Sequence, residues 1–344
     1  MSLRLIFTAE DYPVLQNRTY ENVEEARNCR TGQIRLVQDM STGLIFNEAF
    51  DADLINYDIN YHNEQTYSKY FRTHMAQIAD LVSEAMSGTH LVEVGCGKGD
   101  FLELLQSRGS SITGFDPAYD GNNKDIERRY FTDQFEKKNN GLILRHVLEH
   151  VSDPVDFLKR LRDANGGTGL VYIEVPCFDW ILKNRAFFDV FYEHVNYFRL
   201  ADFFAIFGEV IYAKHSFGGQ YLSIIADLST IRKPKSMSSL IVDLQPGFFP
   251  SKLEGNHNEI VWGAASKGVV YSMLRERSGC PVSRVIDVNP SKQGRYLPVT
   301  GLKVQSPADG LLELPRDCNI LVMNPNYFSE IQKIVGDEIE CKAI

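Results

Sequence analysis

The chain has 344 residues, and 36 Lys and Arg against 45 Asp and Glu give a formal charge of −9, too acidic for a general nucleic-acid binder. Hydrophobic residues make up 44% and charged residues 24%, the balance of a globular protein of about two domains, and no run of about 20 apolar residues could span a membrane. Six cysteines stand apart with no CxxC pair, excluding a disulfide scaffold or dense zinc module, and Met1–Phe7 lacks the pattern of a signal peptide, so a cytoplasmic protein is expected.

Residues 1–60 read as a small β-rich segment, in which Gln33–Val37 and Gly43–Asn47 flank Asp39-Met-Ser-Thr-Gly as a β-hairpin. From Glu64 to Met86, helical spacing places Tyr67, Phe71, Met75, Ile78 and Val82 on one face. After residue 90 the rhythm becomes strand, glycine turn, helix, strand. His90–Val94, Ser111–Phe115, Gly141–Leu144 and Gly169–Val175 read as strands, with helices from Phe101 and from Pro154, the latter capped by Ser152 or Asp153. Such alternation predicts a parallel sheet with helices on both faces, here over 61–228. Residues 229–258 have the composition of a connector, with Ser, Thr, Lys and Pro between Ser229 and Ser239, then Pro246, Gly247 and Pro250. Beyond it, Ile260–Gly263, Val282–Asp287 and Ile320–Asn324 precede a final helix, which predicts a second, smaller α/β domain over 259–344.

The strongest local motif is Leu91-Val-Glu-Val-Gly-Cys-Gly-Lys-Gly-Asp-Phe, a strand running into Gly95, Gly97 and Gly99 and then a helix. Glycines are needed where a ligand must approach the backbone closely. A dinucleotide site prefers GxGxxG, whereas the spacing here is GxGxG. Glu93, inside the preceding strand, would repel a pyrophosphate but suits a ligand that bears a cation. Asp116 closes the next strand, where a carboxylate can accept both ribose hydroxyls. A nicotinamide-dinucleotide site and a coincidental glycine turn are the alternatives.

This segment resembles class I S-adenosylmethionine-dependent methyltransferases, whose glycine loop cradles the methionine portion of the cofactor. The resemblance implies a Rossmann-like sheet, a ribose ligand in Asp116 with Pro117 beside it, and Thr132–Phe135, with Asp133 and Gln134, next to the adenine. Arg145-His-Val-Leu-Glu-His150 is similar to the family's fourth-strand segment and adds His146 to the cofactor set.

After the fifth strand comes the aromatic stretch Phe187–Phe198, which contains Tyr192-Glu193-His194. Aromatic stretches are more often core than machinery, but Glu is almost never buried without a partner, and a His beside it can serve as a general base. The cluster resembles that of C-methyltransferases acting on nucleotide-linked keto-deoxysugars. Val261–Gly268, Ile286–Pro298 and Asn324–Ile331 are similar, in order, to the Rossmann-like C-terminal domain of that family, and the resemblance covers roughly residues 20–335. It implies that His194 abstracts a proton beside a ketone while Glu193 orients it, with His150 or Tyr61 donating to the enolate oxygen. A structural role for His150 and simple packing for Tyr61 are the alternatives. Tyr192, Asn196, Lys267, Lys292 and Arg295 are expected on the substrate, solvated surface charge being the other reading of the three cations. Gly218-Gly219 reads as a substrate approach or a strand bulge.

Two departures stand out. Family members usually begin with a zinc module of two CxxC pairs, but only Cys29 remains beside a similar Arg30-Thr-Gly-Gln-Ile, so no structural zinc and no other metal are expected. Position 191 is Phe where the family carries Tyr. The expected partners are S-adenosylmethionine and a small molecule such as a nucleotide-sugar, with oligomeric state open. Oxygen or nitrogen methylation, and cofactor binding without catalysis, are the competing functions.

Overall fold

Short apolar runs and capped helices resolve into three sheets in the computed structural model, which describes residues 2–58, 60–235, 241, 242, 244, 247–315 and 317–344. Ser239 and Pro246 of the expected connector lie outside the described residues.

The chain begins with β1 (Leu3–Pro13), α1 (Val23–Arg27), β2 (Thr31–Asp39) and β3 (Ile45–Asn47). There follow α2 (Lys69–Ala85), β4 (Leu91–Val94), α3 (Asp100–Ser107), β5 (Ile112–Phe115), β6 (Ile126–Glu127) and β7 (Gly141–Arg145). Next are α4 (Pro154–Ala164), β8 (Leu170–Pro176), α5 (Phe178–Asn184), β9 (Asn196–Tyr197), α6 (Leu200–Ile206), β10 (Val210–Ser216) and β11 (Tyr221–Asp227). The chain ends with β12 (Ile260–Trp262), α7 (Ser266–Arg277), β13 (Arg284–Ile286), β14 (Val304–Gln305), α8 (Pro307–Gly310), β15 (Asn319–Val322), α9 (Phe328–Val335) and β16 (Glu340–Ala343).

The central sheet has the order β10-β11-β8-β7-β4-β5-β6. Strands β8, β7, β4, β5 and β6 are parallel, β11 runs antiparallel to β8, and β10 antiparallel to β11. Its middle strands are buried along their length, which explains their continuous apolar runs. Helix α4 starts as expected, with Asp153 accepting from the Asp156 N–H at 2.9 Å and Pro154 in the first turn. Helix α2 is shorter than its apolar spacing suggested. Ser68 caps it by accepting from the Phe71 N–H, and Tyr67 lies outside it, exposed, while the buried face is completed by His74.

The expected hairpin pairs Leu36 with Asn47 and Gln38 with Ile45, but the N-terminal sheet is larger than a hairpin. Its order is β1-β2-β3-β9, so a strand from residues 196–197 completes it. That pairing pins the stretch carrying Glu193 and His194 against the N-terminal segment. The third sheet is wholly parallel with the doubly wound order β14-β13-β12-β15-β16. One apolar cluster joins all three regions through residues such as Leu36, Val190, Val269 and Leu297. The described part of the connector is packed into it as well. Val242 and Phe248 are buried there, and Phe249 stacks on Phe7 with ring centroids 3.5 Å apart. No helix among the described residues is long and apolar enough to cross a membrane.

Candidate active site

The glycine turn joins β4 to α3 in conformations that only glycine adopts readily. Gly95, Gly97 and Gly99 have φ of 74°, 55° and 88°. A Cβ at Gly95 would stand 2.6 Å from Val147, and one at Gly99 2.6 Å from Ile126, whereas one at Gly97 would meet nothing within 4 Å. The turn therefore faces open space at Gly97. Asp116 braces it from the end of β5, accepting from the Gly97 and Ala118 N–H groups at 2.8 Å each. Pro117, Asp133 and Gln134 are exposed nearby in sequence, on loops that follow β5 and β6. Phe115, Phe131 and Phe135 pack edge to face with centroids 5.2–5.9 Å apart.

Beneath the turn lies a buried polar patch. Burial pushes the Glu93 carboxyl up to about 8, against the pull of Arg145, and its Oε2 has no hydrogen-bond partner. Glu174, fully buried on β8, accepts from Arg145 at 2.8 Å and Tyr172 at 3.0 Å and meets His74 Nε2 at 2.8 Å. Despite its burial, these partners hold Glu174 well below the usual carboxylate range. His146 takes a left-handed φ of 53° as the chain leaves β7. Its ring nitrogens lie 3.4 Å from Glu149 and 3.3 Å from Glu174, and against the downward pull of burial the two carboxylates raise it to about 9.

On the acceptor side His150 and His194 meet edge to face at 5.0 Å, and Phe191 packs on His194 at 4.0 Å. His150 Nδ1 lies 2.9 Å from the Glu193 carbonyl. A carbonyl only accepts, so Nδ1 carries a proton. Burial draws His194 well below its ordinary pKa, helped by His150, His146 and Lys267, so the ring is neutral. The Glu193 carboxylate accepts from the Gln16 N–H at 3.0 Å and lies beside Tyr61 and Tyr57. No hydrogen bond joins it to His194 among the described residues.

The family description "Methyltransferase domain" matches residues 53–210. That match spans the glycine turn, Asp116 and both histidines. Over those residues the chain is similar to methyltransferase domains. The C-methyltransferase NovU of Streptomyces niveus is 29% identical over 150 residues, a match covering 39% of this chain and 36% of that protein. Among solved structures, the 1,6-didemethyltoxoflavin-N1-methyltransferase of Burkholderia thailandensis shares 11% identity at a TM-score of 0.34, over 54% of this chain and 95% of that one. An S-adenosylmethionine-dependent methyltransferase from Mesorhizobium loti shares 12% at 0.33, over 44% and 96%. Both likenesses are too low to bear on the reaction.

The open space at Gly97 admits a ligand, and the Glu93 Oε2 beneath it has no hydrogen-bond partner. Around the domain, the other expected residues divide into two groups. Lys267 and Lys292 approach it from the second α/β unit. Lys267 pairs with Asp189 at 3.0 Å, donates to Gln220 at 2.9 Å and lies 4.7 Å over the Trp180 ring. Lys292, buried and thereby lowered in pKa, donates to the Ala264 carbonyl at 2.9 Å and reaches Asn17 at 3.4 Å. Tyr192, Asn196 and Arg295 are, like the two lysines, engaged within the fold. The Tyr192 hydroxyl accepts from the Asp51 N–H, Asn196 donates to the Leu148 and Val151 carbonyls, and Arg295 donates to Thr19 and Asn60. Gly218 and Gly219, both at positive φ, form a turn against Asn326 and Trp180.

Sequence reasoning missed Gln16, Tyr57, Glu149 and Glu174. For Glu174 a signal existed, since a lone Glu inside the apolar strand Val171-Tyr-Ile-Glu-Val repeats the placement of Glu93. Nothing in the sequence ties Gln16 or Tyr57 to residues more than 130 positions away.

Proposed function

We propose that the chain is an S-adenosylmethionine-dependent C-methyltransferase whose acceptor is a nucleotide-linked keto-deoxysugar or a related ketone. The observation that carries this reading is a neutral His194 paired with an anchored His150 on an aromatic wall. A carbon acquires nucleophilicity only after losing a proton, whereas oxygen or nitrogen transfer can proceed by proximity. The likeness to a C-methyltransferase supports the same choice.

In this reading Asp116 would take the ribose hydroxyls and the glycine turn would accept the methionine portion. The bound cofactor supplies an electrophilic methyl group. His194 takes the proton from the carbon beside the carbonyl: the C–H bond breaks, an N–H bond forms, and the electron pair passes into the enolate. Tyr61 or a protonated His150 donates to the enolate oxygen. The enolate carbon would then take the methyl, the methyl–sulfur bond breaking with its electron pair left on the sulfur of S-adenosylhomocysteine, and His194 returns its proton to solvent. Lys267 and Lys292 supply positive charge from the second unit, suited to a diphosphate. The six cysteines are all free thiols, which supports a cytoplasmic setting.

His194→Gln tests the reading. Methyl transfer to a panel of nucleotide-linked keto-deoxysugars is expected to fall at least about 100-fold, with calorimetric binding of S-adenosylmethionine unchanged. Turnover that persists would overturn carbon chemistry at His194 and leave oxygen or nitrogen transfer.

A further inference from the structure

We infer that Glu149, rather than Glu193, is the carboxylate partner of the histidine pair: a positioning residue whose charge holds the imidazolium formed when His194 takes the substrate proton. The inference rests on His194 as the base and adds the group that makes such a base workable in a buried site.

Forming a cation away from water is costly unless an anion faces it. The sequence offers Glu193, next in the chain, but one of its carboxylate oxygens accepts from the Gln16 N–H, only the other is without a hydrogen-bond partner, and the group lies against Tyr57 and Tyr61. Glu149 differs. It is 1% exposed, and neither carboxylate oxygen has a hydrogen-bond partner among the described residues. His146 Nδ1 stands 3.4 Å from Oε1, long for such a bond. One carboxylate oxygen of Glu149 and one ring nitrogen each of His150 and His194 all lie within 4.8 Å of one another. A buried carboxylate without a close donor is expensive in the resting protein, where only the His146 ring faces it at 3.4 Å, and a proton arriving on the other two rings would add a second positive charge beside it.

The placement is fixed rather than incidental. Residues 148–150 form a single 3-10 turn, and Asn196 ties down both ends of it through the Leu148 and Val151 carbonyls, at 3.2 and 2.6 Å. The His150 ring is fixed in turn by the Glu193 carbonyl. Other charged or titratable groups face the cluster from every side. His146 backed by Glu174 lies behind it, Lys267 acts on His194 from α7, and Tyr57, Tyr61 and Glu193 close the N-terminal side with Lys292 beyond them. His146 and Lys267 oppose protonation of His194. Glu149 is the carboxylate grouped with both rings. It takes no part in the transfer itself: the proton passes from carbon to His194 and then to solvent.

The test needs no methyl acceptor, so its failure is separate from failure of the proposed reaction. The full chain is labelled with 15N-histidine, and the first protonation of the His150–His194 pair is followed by NMR in wild type, Glu149→Gln, Glu149→Asp and Glu193→Gln. Opposite charges this close shift a pKa by about 1–3 units. Glu149→Gln is therefore expected to lower the midpoint by about one unit or more. Glu149→Asp should stay near wild type, and Glu193→Gln should shift it less than Glu149→Gln does. A Glu149→Gln shift no larger than that of Glu193→Gln would overturn the inference. So would a wild-type pair that stays neutral down to about pH 4.5, near the ordinary Glu pKa. If Glu149→Gln does not fold, 13C-carboxyl NMR of the wild-type chain decides. An ionised Glu149 at neutral pH supports the assignment, and a protonated one overturns it.

Discussion

Glu93 and His146 show how a buried patch beneath the glycine turn holds protons that the unfolded chain releases. The Glu93 carboxyl moves from 4.5 to about 8, so between those values the folded chain holds a proton that the unfolded chain has released. Stability then falls as pH rises through that window. His146, raised from 6.5 to about 9, acts with the same sign in its own window, being stabilising below 6.5 and losing that contribution by about 9. Glu93→Gln has no such proton to lose. Its melting temperature relative to wild type is therefore predicted to rise between about pH 5 and about pH 8, as thermal unfolding across pH would read; a pH-independent difference would contradict the burial account. At this scale the sequence was informative where a residue broke its own pattern. Glu93 inside an apolar strand, Asp116 after a strand and the Glu193-His194 pair all stood out. Glu149 did not, because its meaning comes from Asn196 and His194, some 45 positions away, and from hydrogen bonds that it lacks.

Elements with local causes were legible. The parallel strands β4, β5, β7 and β8 follow their apolar runs, α4 follows its Asp153-Pro154 start, and the β2–β3 hairpin follows its turn residues. Those whose cause lies elsewhere in the chain were not. β1 is mostly half-exposed, so no clean alternation marks it, and β9 has two residues whose only reason to extend is an edge of β3. The start of α2 was misplaced because Ser68 ends the apolar spacing one residue after Tyr67. The turn that carries Glu149 and His150 depends likewise on a distant element, through the Asn196 amide. Asn196→Ala strips the Leu148 and Val151 carbonyls of that donor. A loss of about 1–3 kcal/mol in urea unfolding is expected. Unchanged stability would mean that the amide is not what holds the turn.

For the whole molecule, the three sheets meet at the site rather than standing as separate beads. The N-terminal segment brings Gln16, Asn17, Tyr57 and Tyr61 to it, the methyltransferase domain brings the glycine turn and both histidines, and the second α/β unit brings Lys267 and Lys292. Tyr327 extends that last contact by donating to Gln65 at 2.8 Å, just before α2. The sequence spacing supported two α/β units joined by a connector, but it gave no hint that Val242 and Phe248 would pack into a shared core. Lys267→Met breaks the pair with Asp189 at this junction. The pair is mostly but not wholly buried, with side-chain exposures of 16% and 12%, so a cost between about 1 and 3 kcal/mol is expected. Adding Asp189→Asn should recover much of it, and a double-mutant cycle with no coupling would show the ion pair to be idle.

The central claim is that the methyl group goes to carbon. The most direct measurement supplies S-adenosylmethionine labelled with 13C in its methyl group, with a panel of nucleotide-linked keto-deoxysugars as acceptors, and locates the label in the product by NMR. The account predicts a methyl group bonded to carbon beside the carbonyl, formed by the wild-type chain and lost in His194→Gln. A label found on oxygen or nitrogen, or one still transferred to carbon at the wild-type rate without His194, would contradict it.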